Sequence, residues 1–203
     1  MKVKICGLTK SEHVETCINY GADFCGFILN YPKSHRFIQY ETADRLTKIK
    51  KENTLYVGVL VNPTYQELNK FSKLNIDFFQ IYGNFSRENL KNIKLKYKKK
   101  IIFCIQVNSE KDIIKYKIFK DVADIILFDS SGFEKSLSWN FNLIKNIPIT
   151  KMIAGNIDTD KLENISKLAD IVDVSGALET NNVKDINKIK SFLIKVKEIN
   201  DKN

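Results

Sequence analysis

The sequence of 203 residues predicts an α/β fold, a (β/α)8 TIM barrel that forms a single domain over residues 1–203. Two observations carry that expectation. Eight short runs, apolar or β-branched on nearly both faces, recur from end to end, as parallel strands covered by helices require. Between them lie stretches whose apolar residues repeat at i, i+3 and i+4, the rhythm of a helix with one buried stripe. No Gly/Ser linker or compositional break interrupts the alternation. An open doubly wound sheet is the alternative, but it more often carries a GxGxxG turn after its first strand, and "CGLTKSEH" is not one.

The elements follow in order. "VKIC" (3–6) is strand one, and Val14, Cys17 and Ile18 mark the next helix, whose start signal is Thr9 with Glu12. "FCGFIL" (24–29) precedes a helix marked by Ala43, Leu46 and Ile49. "LYVGVLV" (55–61) precedes Leu68, Phe71 and Leu74, opened by Thr64 with Glu67. "FFQIYG" (78–83) leads to Leu90, Ile93 and Tyr97, and "IIFCIQV" (101–107) to "DIILFD" (124–129). "ITKMIAG" (149–155) precedes Leu162, Ile165 and Leu168, and "DIVDVSG" (170–176) precedes a last helix bearing Ile186, Ile189, Phe192, Leu193 and Val196.

Composition narrows the function classes. With 43% hydrophobic and 11% aromatic residues the chain can bury a real core, which excludes a disordered protein. No run reaches the roughly 18 apolar residues of a membrane span, and "MKVKICGLTKSEH" lacks a signal peptide's apolar stretch. A cytoplasmic protein without a membrane partner is expected. Four scattered cysteines without a CxxC pair, and only two histidines, argue against a disulfide framework and against a metal site. The net charge of +9 raises nucleic acid as a partner. Lysine, however, is spread over nearly every helix, and its densest cluster, "KLKYKKK" (94–100), is assigned to an inter-element turn. No aromatic RNA-binding strand or base-reading basic helix accompanies it. No nucleic-acid partner is expected, and the field serves better to draw in an anionic small molecule.

In such a barrel the chemistry lies at the C-terminal ends of the strands. Those ends bring together Cys6, the loop "YPKSHRF" after strand two, Asp129 and Asp173. Small residues follow strands seven and eight, at Gly155–Asn156 and Ser175–Gly176–Ala177, where backbone N–H groups commonly hold a phosphate. Of the four thiols only Cys6 ends a strand; Cys17, Cys25 and Cys104 read as core packing. Position alone leaves Cys6 open between packing and chemistry.

"KICGLT", "GADFCGFIL", "YPKSHRFI", "VGVLVN", "QIYG", "LFDS", "IAGNI" and "DVSGALE", in this order and spacing, resemble the phosphoribosylanthranilate isomerase family of tryptophan biosynthesis, from residue 2 to about 185. The resemblance implies an Amadori rearrangement of a phosphorylated sugar bearing anthranilate, with no metal or organic cofactor. It implies Cys6 as general base toward C2′ of the sugar, Asp129 as general acid toward the ring oxygen, and Arg36 as the grip on the anthranilate carboxylate. Asp173 is assigned to substrate orientation, and Gly155, Asn156, Ser175 and Gly176 to phosphate. Such a base wants its thiol pKa lowered by nearby cations, here Lys or Arg at the rim and the helix near Thr9. The acid wants its own pKa raised by an apolar pocket. Monomer and homodimer are both open.

Departures from the family pattern fall at three places. The loop after strand six reads "SSGFEKSLSWNF" with one glycine, Gly132; Tyr82 stands where a histidine is common; and in the last two turns Asn156 replaces a second glycine after strand seven and "SGA" (175–177) replaces "SSG" after strand eight. Asn tolerates a left-handed backbone, so the turn after strand seven is expected to survive. His35 reads as a solvated loop residue and Trp139 as an anchor of the sixth helix. The rivals are another sugar-phosphate barrel and a barrel that binds RNA or a phosphorylated ligand without turnover. An epimerase would want strand histidines, and the isomerase of histidine biosynthesis has an aspartate where Cys6 stands.

Overall fold

The computed structural model describes residues 1–130 and 139–202. Eight parallel strands close in sequence order: β1 (Lys2–Cys6), β2 (Phe24–Ile28), β3 (Leu55–Val61), β4 (Phe78–Tyr82), β5 (Lys100–Val107), β6 (Ile125–Ser130), β7 (Lys151–Ile153) and β8 (Ile171–Val174). β8 returns to pair with β1. Each of the eight runs read from the sequence lies on one of these strands. The shell holds α1 (Ser11–Asn19), α2 (Tyr40–Thr47), α3 (Tyr65–Phe71), α4 (Arg87–Tyr97), two one-turn helices α5 (Glu110–Ile113) and α6 (Tyr116–Phe119), α7 (Leu162–Ile165) and the long α8 (Ile186–Asp201).

The shell departs from strict alternation in several places. After β6 the described residues form only a 3-10 turn at Phe141–Ile144. The surrounding "NFNLIKNIP" supplies three asparagines and a proline, all poor helix residues. The capping box of Thr64 and Glu67 forms, with Glu67 N–H donating to Thr64 Oγ1 at 3.2 Å and Thr64 N–H to Glu67 Oε2 at 2.8 Å. That of Thr9 and Glu12 does not. The N–H groups of Gly7 and Leu8 are still tied to the Gly26 carbonyl of β2, so α1 opens later, with Lys10 as its uncapped N-cap. The lysine cluster is mostly helix: Lys94 to Tyr97 end α4, and Lys98 is its left-handed cap. Cations there suit the helix dipole. A two-stranded hairpin, β9 (Glu179–Thr180) and β10 (Val183–Lys184), follows β8. Its two-residue loop, Asn181–Asn182, has both φ angles positive, at 51° and 62°, as a tight type I′ turn requires.

Alternation along each strand sorts the core into two compartments. Outward residues such as Ile5, Phe27, Leu60 and Phe79 pack under the helices, together with Cys17 and Cys25. Inward residues such as Phe24, Val57, Phe78, Ile102, Cys104 and Leu127 fill the barrel. Inside that apolar filling three polar side chains are also buried: Lys4, Gln80 and Asp173.

The N-terminal end of the barrel is fixed by a device used four times. Asp23, Asp77, Asp124 and Asp170 each stand one residue before an even-numbered strand. Their carboxylates accept the N–H of Val3, Tyr56, Ile101 and Lys151 on the preceding odd strand, at 2.8, 2.7, 2.8 and 2.8 Å. Each aspartate's own N–H donates to the carbonyl of the same residue, at 3.0, 2.8, 2.9 and 3.1 Å. Two bonds to one residue leave no freedom to slip the register, and a one-residue slip would turn every inward side chain out. Asp124→Ala, which also loses the 2.8 Å ion pair to Lys94, should lower stability by about 1–2 kcal/mol. Urea denaturation would measure this, with Asp201→Ala, at the end of α8, changing it by less than about 0.5 kcal/mol.

Candidate active site

A cavity of about 280 Å³ opens at the C-terminal ends of the strands. All eight residues singled out in the sequence line it: Cys6, Arg36, Asp129, Gly155, Asn156, Asp173, Ser175 and Gly176. His35 and Trp139 are not among the lining residues. Trp139 instead donates its indole N–H to the Ala154 carbonyl at 2.9 Å and meets Phe141 edge-on, which anchors the turn after β6. The "SSGFEKSLSWNF" loop, with Gly132, lies outside the described residues between 131 and 138.

Below Cys6, two residues earlier on the same strand and so on the same inward face, is Lys4. Its ammonium is wholly buried and donates to both carboxylate oxygens of Asp173 at 3.0 and 2.8 Å. Its charge also acts on the Cys6 thiol above it. Burial alone would discharge this lysine, but Asp173 and the thiol overcome it and hold Lys4 protonated. Gly26 makes the arrangement possible: a Cβ there would lie 3.0 Å from both Cys6 Sγ and Lys4 Nζ. The cations near the thiol are therefore two: Lys184, on the rim in the hairpin after β8 as expected, and a stronger one that the sequence reading did not name. The stronger one, Lys4, is beneath the thiol, on its own strand. The thiol pKa also moves opposite to expectation: burial pushes it up, and the pull of Lys4 and Lys184 does not cancel this.

Asp129 ends a hydrogen-bonded chain. Gln80 Nε2–H donates to the Tyr82 hydroxyl at 3.1 Å, and that hydroxyl donates to Asp129 Oδ2 at 2.8 Å. Because the amide donor occupies the hydroxyl's acceptor side, the chain has one direction. The other oxygen, Oδ1, accepts the Ser130 N–H at 2.8 Å. Burial pushes the Asp129 carboxyl up to about 6, against the Tyr82 hydrogen bond, with the negative charge of Asp173 adding to the rise. Tyr82 thus makes a contact to the acid.

Arg36 comes from the loop after β2, which turns twice, with Ser34 N–H donating to Tyr31 O and Phe37 N–H to Ser34 O, both at 3.0 Å. It is paired with a residue the sequence analysis passed over. Glu179 accepts from Arg36 Nε at 2.5 Å and Nη2 at 2.8 Å, and from Lys184, its cross-strand partner in the hairpin. His35 Nε2 lies 3.1 Å from the same carboxylate, so this half-exposed histidine is a neighbour of the cluster. Burial would raise the Glu179 carboxyl, but Arg36 and Lys184 hold it down to about 2. Lys184 also reaches Ser175 O and Oγ at 3.2 Å each, and Ser175 Oγ–H donates to the Cys6 carbonyl at 2.9 Å. Across the cavity, Gly155 and Asn156 have φ of 111° and 47°, so the asparagine does hold the left-handed turn.

Lys4, Glu179 and Lys184 were the residues missed. For Lys4 a signal existed, the i, i+2 spacing from Cys6. The partners of Glu179 lie 143 residues away or across a hairpin and leave no local trace.

Fold and rim together define a (β/α)8-barrel enzyme whose site faces the C-terminal ends of its strands. Relatives narrow the class. The model of the N-(5′-phosphoribosyl)anthranilate (PRA) isomerase family matches residues 3–195, and the chain belongs to that family. The N-(5′-phosphoribosyl)anthranilate isomerase of Streptococcus mutans is 34% identical over 204 residues, covering 97% of this chain and 99% of its own. Among solved structures, the phosphoribosylanthranilate isomerase of Thermotoga maritima superposes with a TM-score of 0.87 at 27% identity, over 98% of this chain and 99% of that one. A phosphoribosylanthranilate isomerase in complex with reduced 1-(o-carboxyphenylamino)-1-deoxyribulose 5-phosphate superposes with a TM-score of 0.84 at 26% identity, with the same coverage.

A hydrogen bond to the ionised form of a carboxyl lowers its pKa, so losing the Tyr82 hydroxyl must raise it. In Tyr82→Phe the Asp129 carboxyl, followed by its infrared carbonyl band, should titrate roughly one unit higher than in the unsubstituted protein. An unmoved titration would show that Tyr82 does not tune this acid.

Proposed function

We propose that this chain, as one barrel domain with one site, converts N-(5-phosphoribosyl)anthranilate to 1-(o-carboxyphenylamino)-1-deoxyribulose 5-phosphate through Asp129 as acid and Cys6 as base. The observation that carries this is the meeting of a carboxyl of raised pKa and a thiol over a buried cation, from strands β6 and β1, in one cavity. Family membership over residues 3–195 supplies the substrate.

The order of steps follows from acidity. The hydrogen on C2′ of the closed sugar is not acidic enough for a side-chain base. Asp129 first gives its proton to the ring oxygen, the C1′–O bond breaks, and the nitrogen lone pair forms a protonated imine. That cation acidifies the neighbouring C2′–H, and Cys6 takes this proton as the electron pair moves to neutralise the imine. The resulting enol-amine passes its hydroxyl proton to C1′ and becomes the ketose. One proton is given and one taken, so the reaction is a net isomerisation. The imine cation joins Lys4 and Lys184 in favouring the thiolate as it is needed. Arg36 supplies a planar fork for the anthranilate carboxylate. The turns at Gly155–Asn156 and Ser175–Gly176 hold the phosphate, and Asp173 fixes Lys4 and faces the sugar.

The active microstate pairs a thiolate with a carboxylic acid, while the resting pair carries its proton on sulfur. Both have the same net charge, so they share one pH window. The kcat/KM profile should rise near pH 6, where Asp129 titrates, and fall only at alkaline pH as the thiol loses its proton. With freshly made phosphoribosylanthranilate and its fluorescence loss as the assay, Cys6→Ala and Asp129→Asn should each cut kcat by at least about 10²-fold. Arg36→Met should act mainly on KM. Loss of fluorescence no faster than the spontaneous background in the unsubstituted protein would refute the activity. Near-normal turnover in Cys6→Ala would refute the base.

A further inference from the structure

Arg36, assigned above to an external carboxylate, is already bound to one of this chain's own. Either Glu179 competes with the substrate or it prepares the arginine for it. A guanidinium has five N–H donors arranged along two edges. Glu179 takes Nε–H at 2.5 Å and one Nη2–H at 2.8 Å, which is the side edge. The end edge, formed by Nη1 and the remaining Nη2–H, makes no hydrogen bond among the described residues. That edge can grip a second carboxylate with two parallel bonds.

The surroundings hold this orientation. Gly7, at φ 80°, passes so close to the arginine stem that a Cβ would lie 2.4 Å from Arg36 Cδ, and a Cβ on Gly176 would lie 3.4 Å from Nη2. The arginine is therefore flanked by two glycine backbones, Gly7 along its stem and Gly176 beside Nη2. Glu179 is itself fixed, with a side chain only 7% exposed and Lys184 opposite it in the hairpin register. Two cationic side chains, Arg36 and Lys184, share this one carboxylate, so positive charge is left over for an anion. A competing carboxylate would have to abandon both cations to make way; a positioning one need not move.

We infer that Glu179 is the positioning residue for Arg36, clamping one edge of the guanidinium so that the other is presented to the substrate's aromatic carboxylate. The inference rests on the assignment of Arg36 in the proposed function.

The test uses the full chain, with Glu179→Gln, Arg36→Met and the double variant. The Glu179→Gln/Lys184→Met variant guards against a stranded Lys184. Thermal melting checks the fold of each. Two inhibitors serve as probes: reduced 1-(o-carboxyphenylamino)-1-deoxyribulose 5-phosphate and the same compound without its carboxylate. Glu179→Gln should weaken the carboxylate probe by roughly tenfold, the scale of a lost charge-assisted contact. Binding of the probe without carboxylate should stay within about twofold, and KM should change more than kcat. In the double variant the loss should equal that of Arg36→Met alone, because Glu179 acts only through the arginine. Tighter binding of the carboxylate probe in Glu179→Gln would show competition and overturn the inference. Equal weakening of both probes in folded protein, or additive losses, would also overturn it. If Arg36→Met itself fails to separate the two probes, the assignment of Arg36 falls instead.

Discussion

The buried ion pair between Lys4 and Asp173 is the constraint on which the rest of this molecule depends. It joins the first strand to the last, in register, at the seam where the barrel closes. A wholly buried ammonium is tolerated only with its partner in place, and removing one member of such a pair typically costs about 3–5 kcal/mol. The pair therefore makes closure all-or-none: a barrel that misaligned β1 and β8 by one residue would bury a charge against apolar side chains. The same cation lies under the Cys6 thiol, so the interaction that closes the fold also sets the electrostatics of the site.

Polar groups inside the barrel are few, and each is directional. Gln80, Tyr82 and Asp129 form one chain across β4 and β6, and Lys4 with Asp173 forms a second link, across β1 and β8, beneath Cys6. The apolar filling around them, including Val57, Ile102 and Leu127, keeps the local dielectric low, which lifts both the Asp129 carboxyl and the Cys6 thiol above their ordinary ranges. A carboxyl so lifted can donate near neutral pH, while the lifted thiol needs a positive charge to become a base. Lys4 and Lys184 supply positive charge in the resting site, and in the proposed reaction the imine adds more. Glycines serve the same economy of space: Gly26 makes room for the lysine and the thiol, and Gly7 for the arginine stem.

The strand order, the closure and the rim residues were legible because they follow from short-range periodicity, and the eight runs placed Cys6, Asp129 and Asp173 at their correct ends. What stayed hidden depends on distance or on sign. "ADF", "IDF", "ADI" and "ADI" recur before each even strand, a signal present in plain view whose meaning, a double hydrogen bond to the strand before, appears only when the strands are adjacent. The thiol pKa was misjudged because a count of nearby cations omits burial, which here outweighs them. The Thr9–Glu12 start signal had the right residue types, but the chain at Gly7 and Leu8 was still committed to β2. Tertiary ties override a local cap when they reach the backbone first.

Gly176 shows how closely the two proposed grips on the substrate are coupled. Its place in the turn after β8 puts it in the proposed phosphate grip, and a bulky side chain there would crowd that turn. Yet an added Cβ would also lie 3.4 Å from Arg36 Nη2. Ser175, its neighbour, hydrogen-bonds the Cys6 carbonyl and accepts from Lys184, which in turn holds Glu179. A weakened KM in a Gly176 variant would therefore mix loss of phosphate grip with displacement of the arginine. At Gly155–Asn156, the other turn proposed for phosphate, Lys161 binds the Asn156 carbonyl at 2.5 Å. The left-handed backbone of that turn depends on a glycine and an asparagine in sequence, at φ 111° and 47°. Because the turn after β8 touches the arginine fork, a loss measured in a Gly176 variant would report on the proposed phosphate and carboxylate grips together.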